Sequence, residues 1–416
     1  MQQASSTYLS ATRHILQKHY ISLLLEVLLA SVLFSCVITS AAASESDDNF
    51  SPAEDTLINA LSELQHNRLD VALNDVRSLI TAKPTFKLAH LIYGDLLMAK
   101  AGSIRGFGNL STAPQDRLQA LKEEFKKRWQ YHIEYTQQNR IPANLIYLSP
   151  RQKHVVLVDM KLSRLFIFEN RRGIPVLIKD FYASTGKKGA FKQVEGDKRT
   201  PIGVYKVTNY IPDASLPDLY GAGAFPINYP NEWDRRHGKT GHGIWLHGTP
   251  ANTYSRPPRA SDGCVALSNP DFKNIKPYVD TGNTSVIIAD EVEWLDKQVW
   301  TARRDAYVNL VKDWQTDWQS LNTDRYLRNY SRQFHAQGYN YKAFANHKKR
   351  VARNKSYIKV KVRNLDIYSY PGEKDMLVME FDQGYRSNNY SNNSRKRQYW
   401  HREADNTWRI IYEGPA

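Results

Sequence analysis

The sequence predicts a multidomain α+β protein: a helical N-terminal region, a mostly β central domain and a C-terminal domain in which helix precedes sheet. Three observations carry this. Apolar residues from Ala60 to Leu97 recur at helical spacing. From His154 they come instead in short runs of strand type. After Glu291 a Trp-rich helical stretch leads into strand-like segments. A chain of 416 residues with 41% hydrophobic and 24% charged side chains has room for two or three domains with real cores.

Residues 1–43 read as a signal peptide or membrane anchor. Arg13 and Lys18 precede an apolar stretch from Ile21 to Ile38, and Ala41-Ala42-Ala43 offers a small-residue cleavage site. The stretch is near the length of a membrane span, so retention as an inner-membrane anchor is the other reading, with Glu26 opposing it. Cys36 follows Leu33-Phe34-Ser35, a weak lipid-attachment pattern in which Phe34 is bulky. Either way the chain is expected to be exported, to the periplasm.

Residues 44–145 read as helical. Ala60, Leu61, Leu64, Leu69, Val71, Ala72, Leu73, Val76, Leu79 and Ile80 recur at helix-like spacing, Pro84 breaks the run, and a second helix runs through Ala89, Leu91, Ile92, Leu96 and Leu97 to near Gly102. The pair looks like one tetratricopeptide-like hairpin. One hairpin cannot bury its own face, so a neighbouring helix, domain or second copy is expected to cover it, a homodimer included. A third helix is expected over Gln115 to Gln138.

Strands are expected at Val155–Val158, Leu165–Phe168, Val176–Tyr182, Gly203–Ile211, Gly243–His247 and Thr284–Ala289, within a domain spanning 146–292. The last domain, 300–416, begins with a helix through Trp300, Tyr307, Val311, Trp314 and Trp318. Three strand-like segments follow: Ser356–Tyr370, Asp375–Arg386 and Arg397–Glu413. Arg395-Lys396-Arg397 reads as a solvated hairpin turn.

The formal net charge is +15, and residues 301–416 hold 22 Lys and Arg against 12 Asp and Glu. That balance favours an anionic partner. Nucleic acid is disfavoured, because no recognition helix, zinc-ligand spacing or RNA-binding signature is present. Without the export segment, Cys264 is the sole cysteine. A lone thiol in an oxidising compartment is a liability unless it is buried or used.

Its neighbours point to use. His242-Gly243-Ile244-Trp245-Leu246-His247-Gly248-Thr249 is a strand ending in His-Gly-Thr, and Ser261-Asp262-Gly263-Cys264-Val265 follows, Cys264 lying 17 residues after His247. A thiol is a good nucleophile as thiolate, and an imidazole can take its proton and return it to a leaving amine. Gly263 allows close backbone approach and unusual dihedrals. The catalytic candidates are Cys264 as nucleophile, His247 as base, and Ser261 and Gly263 shaping the turn. The loop between the two motifs offers Arg256 and Arg259 as candidates for substrate contact, together with Tyr254, Tyr220, Trp245, Gly248 and Thr249. His242 reads as an ordinary hydrogen-bonding residue.

These motifs resemble the YkuD-type L,D-transpeptidase family. His247, Ser261, Gly263 and Cys264 match its His…Ser/Thr-x-Gly-Cys pattern. Thr200-Pro201-Ile202-Gly203 is similar to its Thr-Pro-x-Gly turn, and Val155–Asp159 with Leu165–Glu169 to its opening hairpin. The resemblance spans about His154 to Ala289. It implies that Cys264 attacks the carbonyl between meso-diaminopimelate and the terminal D-Ala of a peptidoglycan tetrapeptide stem, forming a thioester. An amine acceptor then gives a 3–3 cross-link, water a carboxypeptidase product. No metal or cofactor is implied, and carbapenems are expected to acylate Cys264. Two positions depart from the pattern: Asp262 stands where the family often has His, and Ala266 where it usually has Arg or Asn. The three-region order resembles cell-shape-determining peptidoglycan carboxypeptidases with a C-terminal nuclear-transport-factor-2-like cone, whose pocket is expected to hold a glycan or peptide. A wall-binding scaffold with a vestigial site is the non-enzymatic alternative.

Overall fold

The computed structural model describes residues 51–102, 107–108, 114–134, 140–336 and 338–416. The expected export segment, with Cys36, lies outside the described residues. Among those described, no helix is long and apolar enough to cross a membrane.

The N-terminal region comprises α1 (Pro52–Gln65), α2 (Leu69–Ala82), α3 (Lys87–Lys100) and α4 (Gln115–Glu134). Pro52 occupies the first turn of α1, where a missing N–H costs nothing, and Glu54 and Asp55 meet the positive end of the helix. The apolar run from Ala60 to Ile80 is two helices rather than one. Asn67 takes a φ of 60°, a left-handed conformation that Asn tolerates, and ends α1. The expected cover for the hairpin comes from within the chain. Phe125 and Trp129 of α4, and Tyr254 of the next domain, complete a core with Leu57, Val76, Phe86 and Ile92.

Next come β1 (Arg140–Pro142), β2 (Leu145–Tyr147), β3 (His154–Asp159), β4 (Arg164–Arg171), β5 (Ile174–Tyr182), β6 (Thr185–Gly186), β7 (Gly203–Lys206) and β8 (Ala224–Pro226). They are followed by α5 (Glu232–Arg236), β9 (Trp245–His247), β10 (Arg259–Ser261), β11 (Val265–Ala266), α6 (Asn269–Ile275), β12 (Ser285–Ala289) and β13 (Trp294–Asp296). One sheet has the order β5-β4-β3-β12-β7, a second β11-β9-β8, and β10 pairs with β6. The central strands of the larger sheet are buried on both faces, which is why they read as unbroken apolar runs. Val156, Val158, Leu165 and Ile167 face the core shared with β9 and β11, whereas Val155, Leu157, Phe166 and Phe168 face the C-terminal domain.

The C-terminal domain holds α7 (Lys297–Gln319), α8 (Thr323–Leu327), β14 (His335–Ala336), β15 (Tyr339–Asn340), α9 (Tyr341–Ala352), β16 (Ile358–Ser369), β17 (Met376–Ser387), β18 (Ser391–Arg402) and β19 (Trp408–Pro415). Its sheet runs β19-β18-β17-β16-β2, so Leu145–Tyr147, expected at the boundary of the helical region, supplies an edge strand. The stretch expected as one strand from Arg397 to Glu413 is two.

The basic triplet is likewise not a turn. Arg395 and Arg397 sit inside β18, directly opposite Asp382 and Glu380 on β17. Opposite charges in register across strands hold them there. Arg397 is buried, its Nε donating to Glu380 Oε1 at 2.8 Å, and Lys206 of β7 pairs with the same carboxylate. Burial raises the Glu380 carboxyl, but Arg397 and Lys206 outweigh it and hold the group down at about 2. Glu380 thereby ties the sheet of one domain to the sheet of the other. A cavity of about 490 Å3 lies under the helices of this domain, lined among others by Trp318, Tyr326, Lys348, Tyr385, Lys396 and Glu413, well apart from Cys264 in the fold.

Candidate active site

The site forms where two short parallel strands end side by side. β11 pairs with β9 in the register Val265↔Leu246 and Ala266↔His247. Cys264 therefore enters beside Trp245, one strand spacing from the strand that ends in His247.

The turn that delivers Cys264 is closed by its own residues. Ser261 Oγ accepts from Gly263 N at 3.1 Å and donates to the Cys264 carbonyl at 2.6 Å. Ser261 is thus spent on backbone and positions the nucleophile. Gly263 has a φ of 130°, and a Cβ on it would stand 2.8 Å from the Arg199 carbonyl oxygen, so no larger residue fits. Thr200, from the Thr-Pro-x-Gly turn, donates to Gly263 O at 3.0 Å and accepts from Gly186 N at 2.9 Å.

His247 is buried, and its Nδ1 lies 2.6 Å from the Gly248 carbonyl oxygen. A carbonyl only accepts, so Nδ1 carries the proton and Nε2 is left as the basic nitrogen. The Tyr220 ring meets the imidazole edge-on at 5.1 Å and packs against Trp245 at 4.7 Å with the planes tilted by 45°. Burial holds the His247 imidazole down at about 4; the Gly248 carbonyl opposes this and the Arg256 charge adds to it.

Cys264 is partly exposed, its Sγ donating to the Gly243 carbonyl at 3.4 Å. Desolvation pushes its thiol up to about 11, against the pull of the Trp245 backbone N–H and of Arg256. Both groups therefore rest neutral near pH 7. The arrangement suits general-base catalysis: the proton leaves sulfur as the sulfur attacks, rather than beforehand.

Of the residues expected to contact substrate, Arg256, Trp245 and Tyr220 come together with Cys264 and His247. Arg256 Nη2 donates to Leu219 O at 3.1 Å, and its charge is felt by both catalytic groups. Tyr254 does not line the groove. It is buried against the helical region, with its ring 4.5 Å from Phe86 and its hydroxyl near Ser51. Thr249 is also buried, Oγ1 donating to Tyr254 O at 3.2 Å. Gly248 contributes its carbonyl to His247 and packs too closely on Asn269 for any side chain. Arg259 is exposed on β10, where its charge acts on Lys127 of α4. His242 is exposed, Nδ1 3.6 Å from Glu195.

Asn269 is a residue that sequence reasoning missed. Its Oδ1 accepts from Thr249 N at 3.0 Å and Ala222 N at 2.9 Å, and its Nδ2 donates to Thr249 O at 2.8 Å. It pins the peptide that follows Gly248, and so the carbonyl that orients His247. In sequence it reads only as the residue after a Ser268 helix cap.

Comparison with known proteins agrees with this geometry. The profile of the YkuD family, the L,D-transpeptidase catalytic domain, matches residues 153–288. That of the Cds6 C-terminal NTF2-like domain matches 306–414. Bd1075 of Bdellovibrio bacteriovorus is 31% identical, and the alignment covers 67% of this chain and 98% of that one with a TM-score of 0.60. The chain belongs to the YkuD-type L,D-transpeptidase family. Pgp2 of Campylobacter jejuni, described as a helical cell shape determining protein, shares the fold at 23% identity over 69% of this chain and 99% of its own, with a TM-score of 0.54. No curated protein matches the chain. This L,D-transpeptidase homologue thus carries its thiol and imidazole on one sheet, flanked by a helical region and an NTF2-like domain.

Proposed function

We propose that this protein acts on peptidoglycan stem peptides, breaking the bond before the terminal D-Ala through an acyl-enzyme on Cys264. The observation that carries the reading is the parallel pairing of the strand that ends in His247 with the strand that Cys264 leads into, with His247 Nδ1 tied to Gly248 and Nε2 left basic. A turn about the Cα–Cβ bond of Cys264 releases Sγ from Gly243. Sγ attacks the carbonyl carbon and its proton passes to His247 Nε2. The tetrahedral intermediate collapses, the C–N bond breaks, and His247 returns the proton to the leaving amine. A thioester remains; an acceptor attacks it with His247 again taking the proton, the C–S bond breaks, and His247 returns the proton to Sγ. An amine acceptor makes this a transpeptidase. Water as acceptor makes it an L,D-carboxypeptidase, the reading that the three-region order, similar to that of cell-shape-determining peptidoglycan carboxypeptidases, favours. A wall substrate also requires export, which the N-terminal segment would supply, placing the enzyme in the periplasm.

The test is incubation of folded protein with disaccharide tetrapeptide and analysis of products by mass. Cross-linked dimer identifies transfer to an amine, and tripeptide with free D-Ala identifies hydrolysis. Unchanged substrate would discard the enzymatic reading in favour of a wall-binding scaffold.

A further inference from the structure

The loop after His247 is fastened from outside the catalytic domain. Glu124 and Arg128 lie one turn apart on α4 and form a buried pair, Arg128 Nη2 to Glu124 Oε1 at 2.9 Å. Two routes lead from this pair to adjacent residues of the loop. Ser255 Oγ donates to Glu124 Oε1 at 2.6 Å. The Arg128 guanidinium lies 3.8 Å over the Tyr182 ring, and the Tyr182 hydroxyl donates to the Arg256 carbonyl at 3.1 Å. Tyr254, packed on Phe86, adds a third attachment, its backbone N–H donating to Thr85 O at 3.3 Å. Three successive residues are thus tied to the helical region, directly or through Tyr182.

The Arg256 side chain departs from this anchored peptide toward the site. It spends one donor on Leu219 O, and its charge acts on Cys264 and His247. Among the described residues it makes no ion pair. The nearby carboxylate, Asp262, is engaged by Lys187 at 3.1 Å. A guanidinium has five N–H donors in a planar fork that fits a carboxylate. At Ala266, where the family usually places a polar side chain, this chain has a buried methyl group and no charge.

Resting on the reading of Cys264 as the acylated nucleophile, we propose that Arg256 binds the free terminal carboxylate of the stem peptide, and that the Glu124–Arg128 pair of the helical region positions it. Removing only the last residue of a chain requires telling an end from a continuation, and the end differs by one negative charge. Arg256 supplies the matching charge next to the nucleophile. The helical region then belongs to the substrate-recognition machinery rather than serving as a spacer.

The experiment uses the full chain and does not depend on turnover. Cys264 is alkylated with iodoacetate, which carries a carboxylate, and with iodoacetamide, which is neutral, and the rates are read by mass on the Cys264 peptide. The ratio of the two rates is expected to fall roughly tenfold in Arg256→Gln, the worth of one charge-assisted contact, and to be partly kept in Arg256→Lys. Ser255→Ala and Glu124→Gln are expected to lower the ratio severalfold, the iodoacetamide rate correcting for any change in the thiol itself. If Glu124→Gln fails to fold, Ser255→Ala, which removes one hydroxyl, decides alone. An unchanged ratio in Arg256→Gln overturns the carboxylate site. A ratio lowered there but intact in Ser255→Ala overturns the positioning role. If the ratios behave as expected yet tetrapeptide is left intact, the carboxylate site stands and the stem-peptide reading falls.

Discussion

Removing the Asn269 side chain tests how the base is held. Asn269→Ala deletes three hydrogen bonds to backbone groups, two to Thr249 and one to Ala222. Thr249 is buried, so water does not replace these partners freely. At about 1 kcal/mol for each bond, the variant should lose about 3 kcal/mol of stability. The released peptide follows the Gly248 carbonyl, which accepts from His247 Nδ1. Freed from it, the ring loses its preference for a basic Nε2, and turnover should fall about tenfold beyond any loss of folded protein. Asn269→Asp keeps both acceptor contacts but sets a carboxylate oxygen where Nδ2 stands 2.8 Å from the Thr249 carbonyl, so it should also lose stability. Urea unfolding measures the stability and D-Ala release the rate. Wild-type unfolding of Asn269→Ala, or a stability loss with an unaltered rate per folded molecule, refutes this account of Asn269.

Gly263→Ala forces a Cβ to within 2.8 Å of the Arg199 carbonyl at a φ of 130°; it should cost about 1–3 kcal/mol and abolish turnover, whereas full activity in a folded variant would show that the turn is free to shift. Because the thiol sits at about 11 and the imidazole at about 4, iodoacetamide alkylation of Cys264 should climb steadily from pH 7 to about 10; a plateau near neutral pH would indicate a preformed thiolate–imidazolium pair. Glu380→Gln leaves Arg397 and Lys206 without their shared carboxylate and should cost about 3–5 kcal/mol in urea unfolding. The wild-type Glu380 group, held at about 2 against an ordinary 4.5, contributes stability that is present above pH 4.5 and lost as pH falls to 2, so the variant's deficit should shrink across that window. A deficit independent of pH would contradict that assignment.

The order of three regions, the buried strands and the Cys–His motif were legible because each is local. Val155–Val158 and Leu165–Phe168 read as strands through composition alone, and their alternation between two cores follows from period-two geometry. What escaped was set by distant partners. Arg395 and Arg397 look like a charged turn until β17 brings Asp382 and Glu380 opposite them. Tyr254 looks like a groove aromatic until the helical region packs on it. Asn269 serves residues 20 and 47 positions away, which no local pattern announces. The break at Asn67 was visible in principle, since Asn is the residue type other than Gly that most readily turns left-handed at a helix end.

The central claim is that one sulfur carries the reaction. Free D-Ala released from disaccharide tetrapeptide by the wild-type chain and by Cys264→Ser, with melting temperatures taken in parallel, tests it most directly. The account predicts release by the wild type, none by the serine variant, and nearly equal melting temperatures. Equal release by both proteins would contradict it, as would a serine variant that loses activity only because it has unfolded.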